Sequence, residues 1–162
     1  MSDAEDRLRR AQELFAEAYQ LQMMGQLDEA AERYRASIAC HPTAEAHTFL
    51  GWTYSFQDRL DEAIDECMKA IALDPDFGNP YNDIGSYLFK QGKLDDAIPW
   101  LERAIDAKRY EPRHFPHCNL GRIYWAKGQL HRAIEEFERA LAIDPESRFA
   151  RGALDAVRRA LQ

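Results

Sequence analysis

The stretch from Cys118 to Pro145, CNLGRIYWAKGQLHRAIEEFERALAIDP, decides the fold of this 162-residue chain. It consists of two segments separated by the helix-breaking Gly128 and closed by a proline, which cannot continue a helix. Small and apolar residues recur three or four positions apart in each segment, so they share one helical face. They are Leu120, Gly121 and Tyr124 in the first segment and Ala133, Phe137 and Leu141 in the second. The pattern predicts two helices packed as a hairpin, with Gly121 small at a point of close approach.

The same hairpin pattern recurs three times upstream. Equivalent alanines follow one another at spacings of 33, 34 and 36 residues: Ala30, Ala63, Ala97 and Ala133. The residues four positions after these alanines are Tyr34, Cys67, Leu101 and Phe137. The pairs Leu50-Gly51 and Ile84-Gly85 repeat Leu120-Gly121, and three hairpins are closed by Pro42, Pro75 and Pro145. The chain is therefore predicted to be an array of four similar hairpins.

A period near 34 residues with Leu-Gly-x-x-Tyr, Ala-x-x-x-Phe and a closing proline resembles the tetratricopeptide repeat family. The resemblance covers nearly the whole chain and is weakest in the first hairpin, where Glu17-Ala18 stand in place of Leu-Gly. It implies an all-α fold, a right-handed superhelical α-solenoid of antiparallel helix hairpins. The predicted organisation is a single domain of residues 1–162, with an N-terminal helical extension (1–10), repeats at 11–43, 44–77, 78–113 and 114–146, and a capping helix (147–162).

Local signals predict where several helices begin and end. Ser2 and Glu5 form a capping-box pattern at the start of the first helix, and Thr43 is a predicted N-cap. The first helix is predicted to end at about residue 24. The later helices are predicted at residues 27–40, 44–56, 60–73, 79–90, 94–107, 114–126 and 130–143, and a last one begins at Ser147. The junction after residue 107 is two residues longer than the others, so residues 108–117 are predicted to form a basic, aromatic loop. That loop is either a packing adjustment around Tyr110 or a contact surface beside a binding groove.

Composition restricts the class of function. The formal net charge of −7 argues against a nucleic-acid-binding protein, which normally carries a basic face. Residues 1–77 carry 16 acidic and 7 basic side chains, whereas residues 78–162 carry 12 and 14, so the charge is uneven. This is typical of solvated helix faces, or of a polar molecule that orients its partner by charge. No segment has the pattern of a membrane span or a signal peptide, so a cytoplasmic location without membrane insertion is expected.

No motif for catalysis or cofactor binding is present, so the chain is predicted not to be an enzyme and to hold no cofactor. The nearest approach to a metal site is His114, His117 and Cys118, which lack a fourth ligand nearby. No metal site is therefore expected. The three cysteines are far apart and odd in number, which fits a reducing compartment, and His47 is expected to be exposed to solvent.

The resemblance also implies where a partner would bind, because the first helices of such hairpins line a concave groove. The residues predicted to bind the partner there are Phe15, Tyr19, Thr48, Trp52, Asn82, Ser86, Phe89, Lys90, Phe115, Arg122 and Trp125. Many of these side chains are aromatic and are not needed to close a hairpin, and exposed apolar patches usually mark binding sites. Lys90 and Arg122 are predicted to orient an acidic residue of the partner.

Two groove chemistries of the family are absent. Members that clamp acidic C-terminal tails use Lys, Asn, Asn, Lys and Arg on three successive first helices. Whether that pattern is aligned with hairpins one to three or with hairpins two to four, this chain has no cation at those positions. The corresponding residues are Phe15, Tyr19, Phe49, Asn79 and Asp83, or Thr48, Trp52, Asp83, Phe115 and Asn119. The asparagine ladder of glycosyltransferase-associated arrays is also missing, because Ala16, Phe49 and Asp83 occupy three of its four positions. The predicted function is a protein–protein interaction scaffold that binds an apolar or amphipathic peptide or helix. The alternative is a self-assembling structural protein, a homo-oligomer whose groove receives one of its own terminal helices.

Overall fold

The computed structural model describes residues 2–162, which form nine helices and no strand. The helices are α1 (Asp3–Met23), α2 (Leu27–Cys40), α3 (Ala44–Phe56), α4 (Leu60–Leu73), α5 (Asn79–Lys90), α6 (Leu94–Asp106), α7 (Phe115–Ala126), α8 (Leu130–Ile143) and α9 (Arg148–Ala160). Helices α1 to α8 pair in sequence order as four antiparallel hairpins, and α9 packs on α8. The all-α solenoid expected from the sequence is therefore confirmed.

The repeated glycines bring the two helices of a hairpin close together. A Cβ atom at Gly121 would lie 2.5 Å from the ring of Phe137, and one at Gly85 would lie 2.5 Å from the side chain of Leu101. Both of these large side chains are completely buried. In these two hairpins the large residue four positions after the repeated alanine therefore fills the space beside the glycine. The hairpin predicted from this spacing is confirmed.

The stack of hairpins curves towards the first helix of each pair. Helix α3 contacts α5, α5 contacts α7, and α7 contacts α9. Within the described residues, the second helices make no comparable contact with one another. Each second helix also packs on the first helix of the next hairpin, but among the described helices only first helices contact their own counterparts in the neighbouring repeat. An array with this pattern is bent, with the first helices on its inner side. We call this inner surface of α1, α3, α5 and α7 the groove.

Helix starts follow the capping signals in the sequence. The Ser2 hydroxyl accepts a hydrogen bond from the Glu5 backbone, and the Glu5 carboxylate accepts one from the Ser2 backbone, which completes the capping box. The Thr43 hydroxyl accepts a hydrogen bond from the Ala46 backbone, as predicted. Ser147 caps α9 in the same way, through Ala150. These bonds satisfy donors that the first turn of a helix would otherwise leave unpaired.

The long junction between the third and fourth hairpins is packed against the body of the protein. Arg109 donates its backbone N–H to the Asp76 carbonyl at 3.0 Å, and Gly78 donates to the Arg109 carbonyl at 2.8 Å. The Tyr110 side chain is buried, and its ring fills the space where a Cβ atom at Gly78 would lie. The first part of the loop is therefore a packing adjustment around Tyr110, the first of the two interpretations of this segment.

The expectation that His47 is exposed is wrong. Its side chain is only 8% exposed, and its Nδ1 atom lies 2.6 Å from the carboxylate of Glu66, on the second helix of the same hairpin. Lys69 donates to the same carboxylate at 3.1 Å. Burial alone raises the pKa of the Glu66 carboxyl, but the hydrogen bonds from His47 and Lys69 outweigh burial and hold that pKa below its usual value.

The positions equivalent to His47 and Glu66 also hold a pair of interacting side chains in the third and fourth hairpins. In the fourth hairpin, His117 Nδ1 lies 2.7 Å from Glu136, which also binds Arg139. In the third hairpin the same two positions hold Tyr81 and Trp100, whose stacked rings lie 6.2 Å apart. Arg103 covers both of those rings. A polar pair and an aromatic pair therefore occupy the same place between the two helices of a hairpin.

Helix α9 covers the end of the array with one face. Ala150, Leu154 and Val157 are buried against α7 and α8. Phe149 and Leu161, which the sequence pattern places on the same apolar face, are instead 52% and 43% exposed. They lie at the two ends of the helix, and Phe149 still packs edge to face on the ring of Phe137 at 6.2 Å. The capping function of residues 147–162 stays a prediction.

Candidate functional site

The groove contains three cavities that follow one another along the array. The first lies at the N-terminal end between α1 and α3, the second at the centre between α3, α5 and α7, and the third at the C-terminal end between α5, α7 and α9. We call them the N-terminal cavity, the central cleft and the C-terminal cavity. Eight of the eleven residues predicted to bind a partner line one of these three spaces.

The central cleft has a volume of about 530 Å³ and walls that are largely aromatic. Its aromatic lining residues are Tyr19, Phe49, Trp52, Tyr110 and Phe115, and its polar lining residues are Asn79, Asn82, Asp83 and Asn119. Tyr19 and Phe115, on opposite sides, are 39% and 46% exposed. A concave space of this size, lined by aromatic rings and a few polar groups, is typical of a binding site.

The aromatic wall is continuous through ring contacts. Phe49 is at its centre: the ring of Phe15 lies 5.2 Å away, that of Trp52 5.9 Å away, and that of Tyr19 6.0 Å away, all edge to face. The ring of Phe56 lies 5.1 Å beyond Trp52. Edge-to-face contacts of this kind fix ring orientation. The groove therefore presents a wall that is arranged before any partner binds.

The floor of the central cleft is polar and partly ordered by side-chain hydrogen bonds. Asn119 donates to Asn82 Oδ1 at 2.9 Å and accepts from Arg122 at 3.3 Å, which links α5 to α7. Asp83 lies beside this chain of amides and is partly buried. Burial raises the pKa of its carboxyl to about 7, and this effect outweighs the hydrogen bond from Asn82 and the attraction of Lys90.

The C-terminal cavity is larger, about 690 Å³, and mostly apolar. Phe89, Trp125 and Phe149 line it, and Arg122 and Arg148 are its charged residues. The Arg122 guanidinium carbon lies 4.6 Å from the centre of the Phe89 ring and 5.9 Å from that of Phe149. Arg122 is thus held between two rings on the groove wall, with part of its surface facing the cavity.

The N-terminal cavity, of about 410 Å³, lies where the long first helix passes the start of α3. Leu8, Phe15 and Phe49 supply its apolar surface, and Glu45 is its acidic residue. The expectation that Phe15 has no part in closing a hairpin is wrong, because its ring packs edge to face on buried Tyr34 at 5.4 Å. Phe15 thus serves both the core and the groove wall.

Three residues that were predicted to bind a partner lie outside these cavities. Thr48 is buried, and its hydroxyl donates to the Ala44 carbonyl at 2.8 Å, so it offers little surface to a partner and its role as a contact residue stays a prediction. Ser86 is partly buried and lines none of the cavities. Lys90 is exposed at the edge, with its ammonium 5.9 Å from the ring of Tyr87.

Asp83, Tyr110 and Phe149 are groove residues that the sequence did not assign as partner contacts. The sequence identifies Asp83 only as a position that matches neither the cationic clamp nor the asparagine ladder. Tyr110 enters the cleft from a loop whose path depends on the backbone hydrogen bonds to Asp76 and Gly78. Phe149 has a helical spacing that suggests burial, and only the position of α9 shows that its ring lies in a cavity wall.

Within residues 2–162, no group of three or more His, Cys, Asp or Glu side chains could hold a metal ion. His117 is bonded to Glu136, His114 lies 3.6 Å from Asp144, and Cys118 is buried. No helix of this part of the chain has both the length and the apolar character that crossing a bilayer requires.

Two family models, both described as tetratricopeptide repeat, match residues 44–77 and 76–146. The human protein O-mannosyl-transferase TMTC1 is 30% identical over 151 residues, an alignment that covers 88% of this chain and 17% of that protein. The type IV pilus assembly protein PilF of Pseudomonas aeruginosa is 26% identical over 121 residues, covering 74% of this chain and 48% of that protein. The chain spans less than half the length of the curated relatives it matches.

Solved structures agree on the fold. The structure of Pseudomonas aeruginosa PilF superposes with a TM-score of 0.87 at 21% identity and covers 94% of this chain and 69% of that one. The first repeat domain of Spaghetti (RPAP3), bound to the HSP90 peptide SRMEEVD, superposes with a TM-score of 0.66 at 25% identity. That match covers 73% of this chain and 92% of the other.

Proposed function

Because the chain belongs to the tetratricopeptide repeat family, whose fold is in general a non-catalytic scaffold for protein–protein interaction, we propose that its groove binds a segment of a partner protein. The segment is an apolar or amphipathic peptide or helix, and the chain itself carries out no reaction. The observation that carries this proposal is the row of three cavities along the inner faces of the first helices.

Aromatic anchors supply the affinity in this proposal. Trp52 is central, since its ring lies between Phe49 and Phe56 while one side faces the central cleft. Trp125 has the same role in the C-terminal cavity, where it is 37% exposed. Rings that are already held in place lose little conformational entropy when a partner covers them, and such residues dominate interface energies.

The charged residues at the C-terminal end of the groove give the proposed partner a direction. Arg122 lies on two aromatic rings and faces an apolar cavity, so an acidic residue or a terminal carboxylate beside an apolar side chain suits this end. Lys90, at the edge of the groove, adds a second positive charge. Guanidinium groups that are oriented in advance favour carboxylate partners.

The experiment is a selection of random display-library peptides on the wild-type protein, followed by affinity measurements with the peptides that bind. Truncating a buried aromatic anchor typically costs about 2 kcal/mol of binding free energy, so we expect Trp52→Ala to weaken binding roughly thirty-fold. The control is Leu73→Ala, which removes an exposed apolar side chain at the end of α4, away from the groove.

Stability must be measured beside affinity, because Trp52 makes two ring contacts worth roughly 0.5–1.5 kcal/mol each. Affinities are therefore compared at a temperature where both variants are fully folded. Equal affinities for the wild type and folded Trp52→Ala, or an equal loss in Leu73→Ala, would place the peptide elsewhere and refute the groove proposal.

A further inference from the structure

The central cleft combines two features that each favour a positive charge. Its floor holds the carboxyl group of Asp83, and its walls are the rings of Tyr19, Trp52, Tyr110 and Phe115. An aromatic ring attracts a cation over its face, and the attraction is stronger when water is excluded. A carboxylate at the base of the same space adds a charge-assisted hydrogen bond to a bound cation.

Asp83 has no cationic partner of its own among the described residues. No Lys, Arg or His nitrogen forms an ion pair with it, whereas the buried carboxylates Glu66 and Glu136 each bind a histidine together with a lysine or an arginine. Lys90 attracts the Asp83 carboxylate only from a distance, since it lies at the edge of the groove. A carboxylate removed from water without a counter-charge is costly to keep ionised, and a bound cation relieves that cost.

From this geometry we propose that Asp83 and the surrounding rings form a subsite for a lysine or arginine side chain of the partner segment. The inference rests on the proposed function, because it assumes that the partner lies in the groove. The cation enters between Tyr19 and Phe115, the two exposed rings on opposite sides of the cleft, and its head group reaches the Asp83 carboxylate. The amide of Asn79 supplies a carbonyl oxygen for one of its remaining donors.

The charge distribution of the whole chain supports a basic partner at this place. The net charge of −7 is concentrated in residues 1–77, the part of the chain that forms one side of the central cleft. A surface of this sign raises the rate at which a basic segment associates and disfavours an acidic one. The C-terminal cavity, which contains Arg122 and Arg148, has the opposite preference. The proposed segment is therefore basic at its centre and apolar or acidic where it meets α9.

The subsite has a pH dependence that a purely apolar groove would not show. A cation binds the ionised form of Asp83, so binding weakens as the pH falls through the pKa of about 7 of the unbound carboxyl. The titratable groups around Asp83 are Tyr19 on α1, Cys67 on α4, Tyr87 and Lys90 on α5, and Tyr110 in the loop. Burial raises the pKa of Cys67, Tyr87 and Tyr110, so they stay neutral between pH 6 and 8.

The test uses peptides selected on the wild-type protein that depend on Trp52 for binding. We expect these peptides to be enriched in Lys or Arg, and replacement of that residue by Gln to weaken binding at least tenfold at pH 8. The Asp83→Asn variant should show the same loss and should no longer distinguish the basic peptide from its Gln analogue. Asp65→Asn, which removes an exposed carboxylate on α4, is the control and should bind as the wild type does.

Affinity for the basic peptide should fall roughly tenfold between pH 8 and pH 6 in the wild type, because the ionised fraction of a group with pKa near 7 falls by about that factor. In Asp83→Asn it should change little. Selected peptides that require Trp52 but carry no basic residue would overturn the cation subsite and leave the groove proposal standing. Failure of every selected peptide to depend on Trp52 would overturn the groove proposal itself.

Discussion

Replacing Asp83 with Asn should stabilise the unliganded protein, and the gain should grow with pH. Burial raises the pKa of this carboxyl from 3.8 to about 7. The folded protein therefore holds the proton more tightly than the unfolded chain does. Wild-type stability accordingly falls as the pH rises from about 4 through 7, and it levels off above the folded-state pKa. The amide of the variant is neutral at every pH, so this contribution is removed.

The magnitude follows from the two pKa values. Ionisation of Asp83 lowers the free energy of unfolding by about 1.7 kcal/mol at pH 5 and by about 4 kcal/mol at pH 8, taking 1.36 kcal/mol per unit of pKa. The difference in stability between Asp83→Asn and the wild type should therefore increase by about 2–3 kcal/mol between these pH values. Comparing the two pH values removes any constant effect of the amide group.

Urea denaturation of both proteins at pH 5 and pH 8 measures this difference, since the slopes should be equal and only the midpoints should move. Asp65→Asn is the control, because substitution of an exposed carboxylate is expected to change stability by no more than about 0.5 kcal/mol at either pH. A gap between Asp83→Asn and the wild type that is the same at pH 5 and pH 8 would refute the reasoning. Asp83 would then be as well solvated as an ordinary surface carboxylate.

Three further predictions concern the fold. Gly121→Val places a side chain against the ring of Phe137 and should lower the free energy of unfolding by about 1–3 kcal/mol. Gly152→Ala, where nothing lies within 4 Å of the added Cβ atom, should raise it slightly. Equal effects of the two substitutions in thermal melts would refute the close packing at Gly121. Removing residues 147–162 should expose the apolar face of α8 and cause aggregation, and a shortened chain that stays monomeric in light scattering would show that α9 is not a cap. Glu66→Gln should cost more stability at pH 7 than at pH 3, because a lowered pKa gives stability that is lost as the pH falls through it; a cost independent of pH would contradict the ion pair.

Helix positions could be predicted from the sequence because they depend on local features. Each of these signals acts on the few residues next to it. They are the glycines at hairpin turns, the alanines that recur about every 34 residues, and the capping side chains. The exceptions are ends such as Asp106 and Phe115, where α6 and α7 differ by one residue from the prediction. There the long junction that contains Tyr110 determines where α6 ends and where α7 begins.

The interactions between elements were harder to predict. His47 looks like a polar residue on a helix face, and its partner Glu66 lies on another helix, 19 residues away. Asp83 shares its cleft with residues that are distant in sequence, among them Trp52 and Asn119. The spacing of residues within one helix does not show which side chains of other hairpins will surround it. The positions of the groove residues could be derived from the repeat, but their charge environment required the assembled array.

The measurement that tests the central claim most directly is a titration of the isotope-labelled protein with a selected peptide, followed by two-dimensional NMR. The account predicts that the largest shifts in backbone amide and tryptophan indole signals lie on the inner faces of α1, α3, α5 and α7. They should be centred on Tyr19, Trp52 and Asn82, and folded Trp52→Ala should need roughly thirty-fold more of the same peptide to reach them. Shifts concentrated on the outer helices α4, α6 and α8 would contradict it, because the partner would then bind a surface other than the groove.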